Sequence, residues 1–152
     1  MKNLPISTSL FFHMISLVIL NFLFSETHYL FDGRSEPSPT TWIGLTVLMA
    51  GWFWLYGLQF IWFAYPLYYL SLYFLWKSRW RAAIASSGVA IAIALVSTPR
   101  MFQQALPTDV MFFTQPNLQR LELGYYLWVM SLLILFVTSL AQSLRHMSNG
   151  VG

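Results

Sequence analysis

Apolar residues fall into four long runs along this chain, and shorter polar segments separate them. The runs cover approximately residues 6–24, 42–76, 82–97 and 123–144. An α-helix needs about 20 apolar residues to cross a hydrocarbon core that is about 30 Å thick. The pattern therefore predicts an all-α polytopic membrane protein with about four transmembrane helices, which form a single domain over residues 1–152.

The second run is too long for one straight span. Residues 42–76 contain no charged side chain, and one helix of that length would extend about 50 Å at roughly 1.5 Å per residue. Pro66 is the natural break, because proline lacks an amide donor and clashes with the preceding turn. We expect a span over residues 42–65 that kinks near Pro66 and extends to residue 76. Two short spans hinged at Tyr65-Pro66 are the alternative.

The first run follows Lys2 and resembles a signal peptide in its basic start. Leu23 and Ser25 match the small-x-small cleavage pattern poorly, which favours an uncleaved signal anchor. The segments 25–40 and 98–122 contain turn-forming Gly or Pro residues. We expect both segments to be loops between spans.

Basic residues indicate the orientation, because Lys and Arg near the ends of spans favour the cytoplasm. Four spans with a cytoplasmic amino terminus place most of the basic residues inside. The inside set is Lys2, Lys77, Arg79, Arg81 and Arg145, and the outside set is Arg34, Arg100 and Arg120. Five spans would move the Lys77–Arg81 group outside unless the amino terminus moved too. We therefore predict that both termini are cytoplasmic, and the compact loops favour a bacterial inner membrane.

Composition excludes several classes of function. Only 9% of the residues are charged, against roughly 25% in soluble domains, and such sparse charge does not make a nucleic-acid surface. The chain has no cysteine, which excludes disulfides, thiolate zinc sites and a cysteine nucleophile. We expect membrane lipids around the chain, no nucleic-acid partner and no cofactor.

The histidines offer no convincing metal or haem site. A b-type haem needs two axial ligands that face each other, and His13 with His146 is the least unsuitable pair. Asp109, Arg100 and His28 are the residues from which a catalytic group would have to be assembled, but no motif supports it. We therefore predict no metal ligand, no catalytic residue and no enzymatic activity.

Small residues recur at every fourth position in the third run. Ala82, Ser86, Ala90 and Ala94 share one face of a helix. Small side chains let two membrane helices approach closely. We interpret these four as helix-packing residues, either within the chain or against a partner.

The second run is dense in aromatic rings around one mid-span amide. Its central residues include Trp54, Gln59, Trp62 and Tyr65, and they lie too deep for every ring to be in the interfacial belt. Such a group either packs against neighbouring helices or lines a cleft for an apolar ligand. We name these four as the candidate ligand-binding residues.

The leading hypothesis is a small integral inner-membrane protein that acts by helix packing, within a membrane complex of other subunits or as a homo-oligomer. The small-residue face and the absence of charge within the spans motivate it. The alternative is a binder or conduit for an apolar ligand or lipid in an aromatic-lined cleft. A membrane enzyme is the third possibility, and no motif in the chain singles out a known family.

Overall fold

The computed structural model describes residues 4–29, 35–50, 60–102 and 114–149. The described part is mostly helical and carries a small antiparallel sheet. Its helices are α1 (Leu4–Val18), α2 (Gly44–Ala50), α3 (Ala64–Trp76), α4 (Trp80–Met101) and α5 (Leu123–Asn149), with a 3-10 turn at Ile61–Phe63. Its strands are β1 (Leu20–Tyr29), β2 (Ser35–Ile43) and β3 (Thr114–Leu121).

Two helices within the described residues are long and apolar enough to cross a membrane. They are Trp80–Met101 and Leu123–Ser148, with mean hydropathies of 1.7 and 1.9. The shorter of the two rises about 33 Å at 1.5 Å per residue, close to the roughly 30 Å of a hydrocarbon core. The predicted spans over 82–97 and 123–144 lie inside these helices, whereas the apolar stretch Pro5–Val18 of α1 is shorter.

Helix α5 is the centre of the helical packing. α1 and α4 both pack along α5, and α3 packs along α4. Side-chain contacts also join α1 to α3, where Ser9 Oγ lies 3.1 Å from the hydroxyl of Tyr68. Trp128, Leu132 and Leu135 of α5 are fully buried, so the core lies along this helix.

The all-α prediction is incomplete, because a three-stranded sheet in the order β2-β1-β3 lies where α1 ends and α5 begins. Residues 20–24, predicted as the end of the first span, are the start of β1, and Trp42 and Ile43 end β2 instead of opening a second span. Periodicity alone does not separate a short apolar strand from a buried helix. Pairing on both sides satisfies the backbone of β1, and no local signal encodes those distant partners.

The segments predicted as loops supply the two edge strands. Pro37 and Pro39 lie in β2 and Pro116 lies in β3; proline cannot donate to the ladder and is tolerated at a sheet edge. Pro37 and Pro39 pair with Thr27 and Ser25 at alternate positions, so both lack an N–H on the same side of the strand. The central strand β1 contains no proline.

The predicted long second helix is interrupted. α2 spans Gly44–Ala50, residues 51–59 lie outside the described part, and Phe60 is not helical before the 3-10 turn. Pro66 is the third residue of α3, where a backbone N–H would have no intrahelical partner in any case. Pro66 therefore lies in the first turn of a helix, and the expected kink within a continuous helix is not found.

Asn21 joins the ends of three helices beside the sheet. In the amide orientation that satisfies its neighbours, the Asn21 side chain donates to the carbonyl of Ser16 at 2.8 Å. Its backbone carbonyl accepts the N–H of Glu122 at 2.9 Å. Gly44 of α2 and Gly124 of α5 pack so closely that a Cβ on the first would overlap Ser16 and one on the second would overlap Asn21. The close approach of these backbones explains glycine at both positions.

Candidate functional site

The predicted ligand-binding residues are only partly described. Trp54 and Gln59 lie outside the described residues. Trp62 is half-buried, and its indole N–H donates to the carbonyl of Leu48 at 2.8 Å. That bond fixes the ring between two segments of the same chain, so Trp62 has a packing contact in this structure.

Tyr65 belongs to a largely buried group that we call the polar–aromatic cluster. Its members are Ser9, His13, Tyr65, Tyr68, Tyr69, Trp128 and Ser131, from α1, α3 and α5. Tyr65 stacks on Trp128 with 4.8 Å between ring centroids, and His13 stacks on Tyr68 at 4.0 Å. These rings fill the space between the helices, so Tyr65 lies in a packed interior rather than at an open cleft.

Hydrogen bonds connect the polar–aromatic cluster across three helices. Ser9 Oγ donates to the carbonyl of Ser131 at 2.8 Å, which leaves it to accept from the Tyr68 hydroxyl. His13 Nε2 lies 3.0 Å from the hydroxyl of Tyr69. Interhelical side-chain bonds in membrane proteins contribute about 0.6 kcal/mol each. The cluster therefore acts as a structural joint of α1, α3 and α5.

The structure does not bring His13 and His146 together. His13 is buried in the polar–aromatic cluster, whereas His146 is exposed near the end of α5. In the described ranges, no group of three or more His, Cys, Asp or Glu side chains is arranged to hold a metal ion. Asp109 and the side chain of His28 lie outside what the structure describes, so the absence of a catalytic residue stays a prediction.

The small-residue face of α4 is covered by the chain itself. Ser86, Ala90 and Ala94 are buried within the chain, and Ala82 is half-buried. Ser86 Oγ lies 2.8 Å from Ser71 Oγ of α3. Close approach of α3 and α4 is thus one use of these small residues.

An open groove runs along the carboxyl-terminal half of α5 and has a volume of about 1040 Å³. We call it the α5 groove. Its floor is one face of that helix, formed by Leu133, Ile134, Val137, Thr138, Ala141, Gln142, Arg145 and His146. Pro5 of α1, together with Ser78 and Trp80 at the start of α4, completes the lining. The groove therefore lies between three helices and opens outward.

A smaller groove of about 480 Å³ adjoins the polar end of the α5 groove. The two share Ser78, Trp80 and His146. Arg79 and Arg81 line the smaller one. The polar end of the α5 groove is therefore continuous with two further guanidinium groups.

Basic residues gather at this end of the bundle, which we call the basic end. Lys77, Arg79 and Arg81 lie in and beside the turn between α3 and α4, and Arg145 lines the α5 groove. At the opposite end, beside the sheet, Arg120 pairs with Glu122 at 2.7 Å. Of the five basic residues predicted to lie inside, these four are near one another in the fold, and Lys2 lies outside the described residues.

A tight turn between α3 and α4 shapes the basic end. The N–H of Arg79 donates to the carbonyl of Phe74 at 2.8 Å, and that of Ser78 donates to the carbonyl of Leu75 at 3.0 Å. This pair of bonds is a Schellman motif, and it holds Ser78 at a φ of 55°. The motif ends α3 and places Trp80 at the start of α4 beside the groove.

The α5 groove was not predicted from the sequence. The available signal was the spacing of Thr138, Gln142 and Arg145 by four and three residues, which aligns polar side chains on one face of an apolar helix. That spacing does not tell which helices cover the face. That this face of α5 stays open follows only from the relative positions of α1, α4 and α5 in the fold.

The chain matches no protein-family model, and it matches none of the curated proteins and none of the solved structures with which it was compared. A function must therefore be argued from the geometry and chemistry of the site.

Proposed function

We propose that this chain is a small integral protein of a bacterial inner membrane, which it crosses four times with both termini in the cytoplasm. Two helices of sufficient length, α4 and α5, support the proposal, as does the apolar α1 packed along α5. α1 starts beside the α5 groove at Pro5, and α3 ends next to the turn at Ser78 that lines the same groove. The chain thus leaves the basic end and returns to it before α4 begins.

Side chains at the basic end suit a membrane surface. Trp76 is 77% exposed, and the ammonium of Lys77 lies 4.8 Å from the centre of its ring. Tryptophan prefers the headgroup boundary, and a lysine over its face adds a cation–π contact. The preference of Lys and Arg for the cytoplasm then favours a cytoplasmic basic end.

Cysteine labelling tests this topology, because the chain has no cysteine of its own. Ser78→Cys reports on the basic end and Gln119→Cys on the sheet end, and both native side chains are exposed. An impermeant maleimide added to intact cells should label Gln119→Cys alone, and inverted vesicles should reverse the result. Labelling of Ser78→Cys from outside would reject the orientation, and labelling of both from one side would reject a crossing by α4.

The function that the geometry supports best is binding of a membrane lipid or a similar amphiphile in the α5 groove. The groove itself carries this proposal. Its volume of about 1040 Å³ is at the upper end of the roughly 300–1,000 Å³ of small-molecule pockets. Its floor is mostly apolar from Leu133 to Ala141 and polar from Gln142 onward. A lipid likewise has an apolar tail followed by a polar headgroup.

Retention of a lipid in this groove depends on shape and on polar contacts. Lipid tails are as apolar as leucine, so transfer of a tail from the bilayer into the groove gives no hydrophobic gain. Contact with Ile134 and Val137 adds dispersion attraction only where the surfaces fit closely. Most of the selectivity must therefore come from the polar end of the groove.

Filling the groove tests the proposed binding. Ala141→Trp places an indole on the groove floor, whereas Leu140→Trp places the same ring on the neighbouring residue, which is exposed and outside the groove lining. Native mass spectrometry of protein purified from its own membranes in mild detergent should find bound lipid on the wild type and on Leu140→Trp. Ala141→Trp should retain about fivefold less, a change of ~1 kcal/mol. Equal retention by all three proteins would reject binding in the groove.

Packing against another copy or another membrane subunit is a second candidate, favoured by an exposed stripe on α5. The stripe consists of Leu123, Tyr126, Met130, Leu133, Val137, Leu140 and Leu144, all exposed. Their spacing of three and four residues is that of a coiled-coil seam. The small-residue face of α4, on which this hypothesis first depended, is already covered within the chain.

The packing hypothesis and the lipid-binding hypothesis predict different effects of Leu140→Trp. If α5 pairs with another helix through the stripe, this substitution lowers the oligomeric fraction while leaving bound lipid unchanged. Sedimentation equilibrium in density-matched detergent measures that fraction. A monomeric wild type that co-purifies with no other protein would reject the packing function.

A further inference from the structure

The apolar floor of the α5 groove is about as long as the hydrocarbon part of one bilayer leaflet is thick. Its mostly apolar floor extends from Leu133 to Ala141, which is about 12 Å along a helix. Half of a hydrocarbon core is about 15 Å. An amphiphile in this groove would therefore span a single leaflet, with its polar part beyond Ala141.

The polar end of the groove carries an excess of positive charge. Arg145 lines the α5 groove, and Arg79 and Arg81 line the smaller groove that adjoins it. The chain has only five acidic residues, and of these Glu122 is paired to Arg120 at the sheet end. Within the described residues, none of the three arginines at the basic end forms an ion pair.

The start of α4 adds to this positive potential. α4 begins at Trp80, its N-cap residue Arg79 provides no side-chain capping bond, and its first turn contains no acidic residue. The free N–H groups and the dipole of a helix amino terminus favour an anion. This terminus lines the smaller groove with Trp80, Arg81 and Ala82, so it acts on the same space as the guanidinium groups.

We propose that the α5 groove and the adjoining smaller groove bind an anionic phospholipid of the cytoplasmic leaflet. The phosphate lies against Arg79, Arg81 and Arg145, and one acyl chain lies along the α5 floor over Val137. Guanidinium groups bind phosphate oxygens with two parallel hydrogen bonds, and basic pockets beside membrane helices on the cytoplasmic side suit anionic headgroups. This inference rests on the proposed lipid binding and names the class of lipid.

Charge and shape together favour a phospholipid over a soluble anion. Inorganic phosphate would satisfy the arginines but would leave the apolar floor of the α5 groove unoccupied. A zwitterionic lipid would fill the floor but would bring a positive group to an end that already carries Arg79, Arg81 and Arg145. An anionic phospholipid complements both parts.

Lipid titration followed by native mass spectrometry tests the inference. Delipidated full-length protein in mild detergent is titrated with phosphatidylglycerol and, separately, with phosphatidylcholine that has the same acyl chains. The wild type should bind phosphatidylglycerol more tightly. The double variant Arg81→Gln/Arg145→Gln should bind it about tenfold more weakly, equivalent to ~1.4 kcal/mol, and should bind phosphatidylcholine as before.

Lys77→Gln is the matched control, because Lys77 lies at the basic end but lines neither groove. It should keep the preference for phosphatidylglycerol. All the substituted side chains are exposed, and a thermal unfolding curve for each variant confirms that it is folded. An equal loss in Lys77→Gln and in the double variant would reject a specific headgroup site.

The remaining outcomes separate this inference from the proposed function. If both lipids bind equally and Ala141→Trp abolishes both, the groove binds lipid but the anionic headgroup is rejected. If neither lipid binds the wild type, both proposals fail. If millimolar inorganic phosphate displaces phosphatidylglycerol completely, the arginines form an anion site without a lipid requirement, and the inference is overturned.

Discussion

The two halves of α5 face very different surroundings. Its amino-terminal half meets the polar–aromatic cluster, where Trp128 is fully buried and the carbonyl of Ser131 accepts a hydrogen bond from Ser9. Its carboxyl-terminal half forms the floor of the α5 groove, where Val137 is 59% exposed. The face of the first half that meets α1 and α3 is closed by packing, whereas the face of the second half that forms the groove floor is left open.

Helix length explains this difference. The bond from Ser9 to Ser131 fixes the register of α1 against α5. From that bond the described part of α1 extends back to Leu4, whereas α5 continues to Asn149. At 1.5 Å per residue α5 therefore extends roughly 20 Å beyond the level of Leu4. The α5 groove therefore forms where α5 extends beyond the described part of α1.

The largest expected change in the free energy of unfolding comes from adding one methyl group to α5 where it packs against Asn21. In Gly124→Ala the new Cβ would overlap the side chain of Asn21 and lie 2.7 Å from the carbonyl oxygen of Leu20. We expect a loss of about 3 kcal/mol or more in the free energy of unfolding, because backbone atoms must shift to make room. Reversible unfolding in mixed detergent micelles measures it.

Gly88→Ala is the control for that substitution. Its Cβ would meet only Phe136, at 3.4 Å, which is an ordinary contact. Alanine should raise stability by up to ~1 kcal/mol through its higher helix propensity. Similar stability changes for Gly88→Ala and Gly124→Ala would contradict the close junction at Asn21.

A bulky residue on the small-residue face should have the next largest effect. Ala90→Leu must push α4 away from its neighbours, since Ala90 is fully buried. We expect it to lower the free energy of unfolding by ~1–3 kcal/mol. Val89→Leu, one residue away and 49% exposed, should be neutral. If Ala90→Leu changes only the oligomeric state, the face packs against a partner instead.

Removing one hydroxyl from the polar–aromatic cluster should have a smaller effect. Tyr68→Phe keeps the ring stacked on His13 but deletes the bond to Ser9. We expect a loss of ~0.6–1 kcal/mol in the free energy of unfolding and unchanged lipid retention. Tyr126→Phe, on the exposed face of α5, should change neither quantity. Loss of bound lipid in Tyr68→Phe alone would show that the cluster and the groove are coupled.

The smallest effect should be a gain of stability at the edge of the groove. Ser78 lies at a φ of 55°, where glycine is less strained than an L-residue. Ser78→Gly should therefore raise the free energy of unfolding by ~0.5–1 kcal/mol. Ser143→Gly, inside α5, should lower it by a similar amount because glycine is a poor helix former. A loss in both variants would contradict the left-handed turn.

Local sequence signals were sufficient for α4 and α5. A helix that spans apolar surroundings is specified by its own residues, because every backbone bond is internal and the apolar run sets its length. The positions of Lys77, Arg79, Arg81 and Arg145 at span ends likewise predicted a shared basic end. Such signals failed for Leu20–Tyr29 and Thr114–Leu121, whose pairing joins residues almost a hundred positions apart.

The sequence by itself determined that this chain is predominantly helical and apolar, that α4 and α5 are long helices, and that Lys77, Arg79, Arg81 and Arg145 lie near helix ends. These properties depend on composition and on periodicity within one segment. Only the tertiary structure decided that Tyr65 and Ala90 lie in closed packing, that the sheet forms, and that the carboxyl-terminal face of α5 stays open. Each of those depends on the register between separate elements, which the packing of side chains across the whole fold selects.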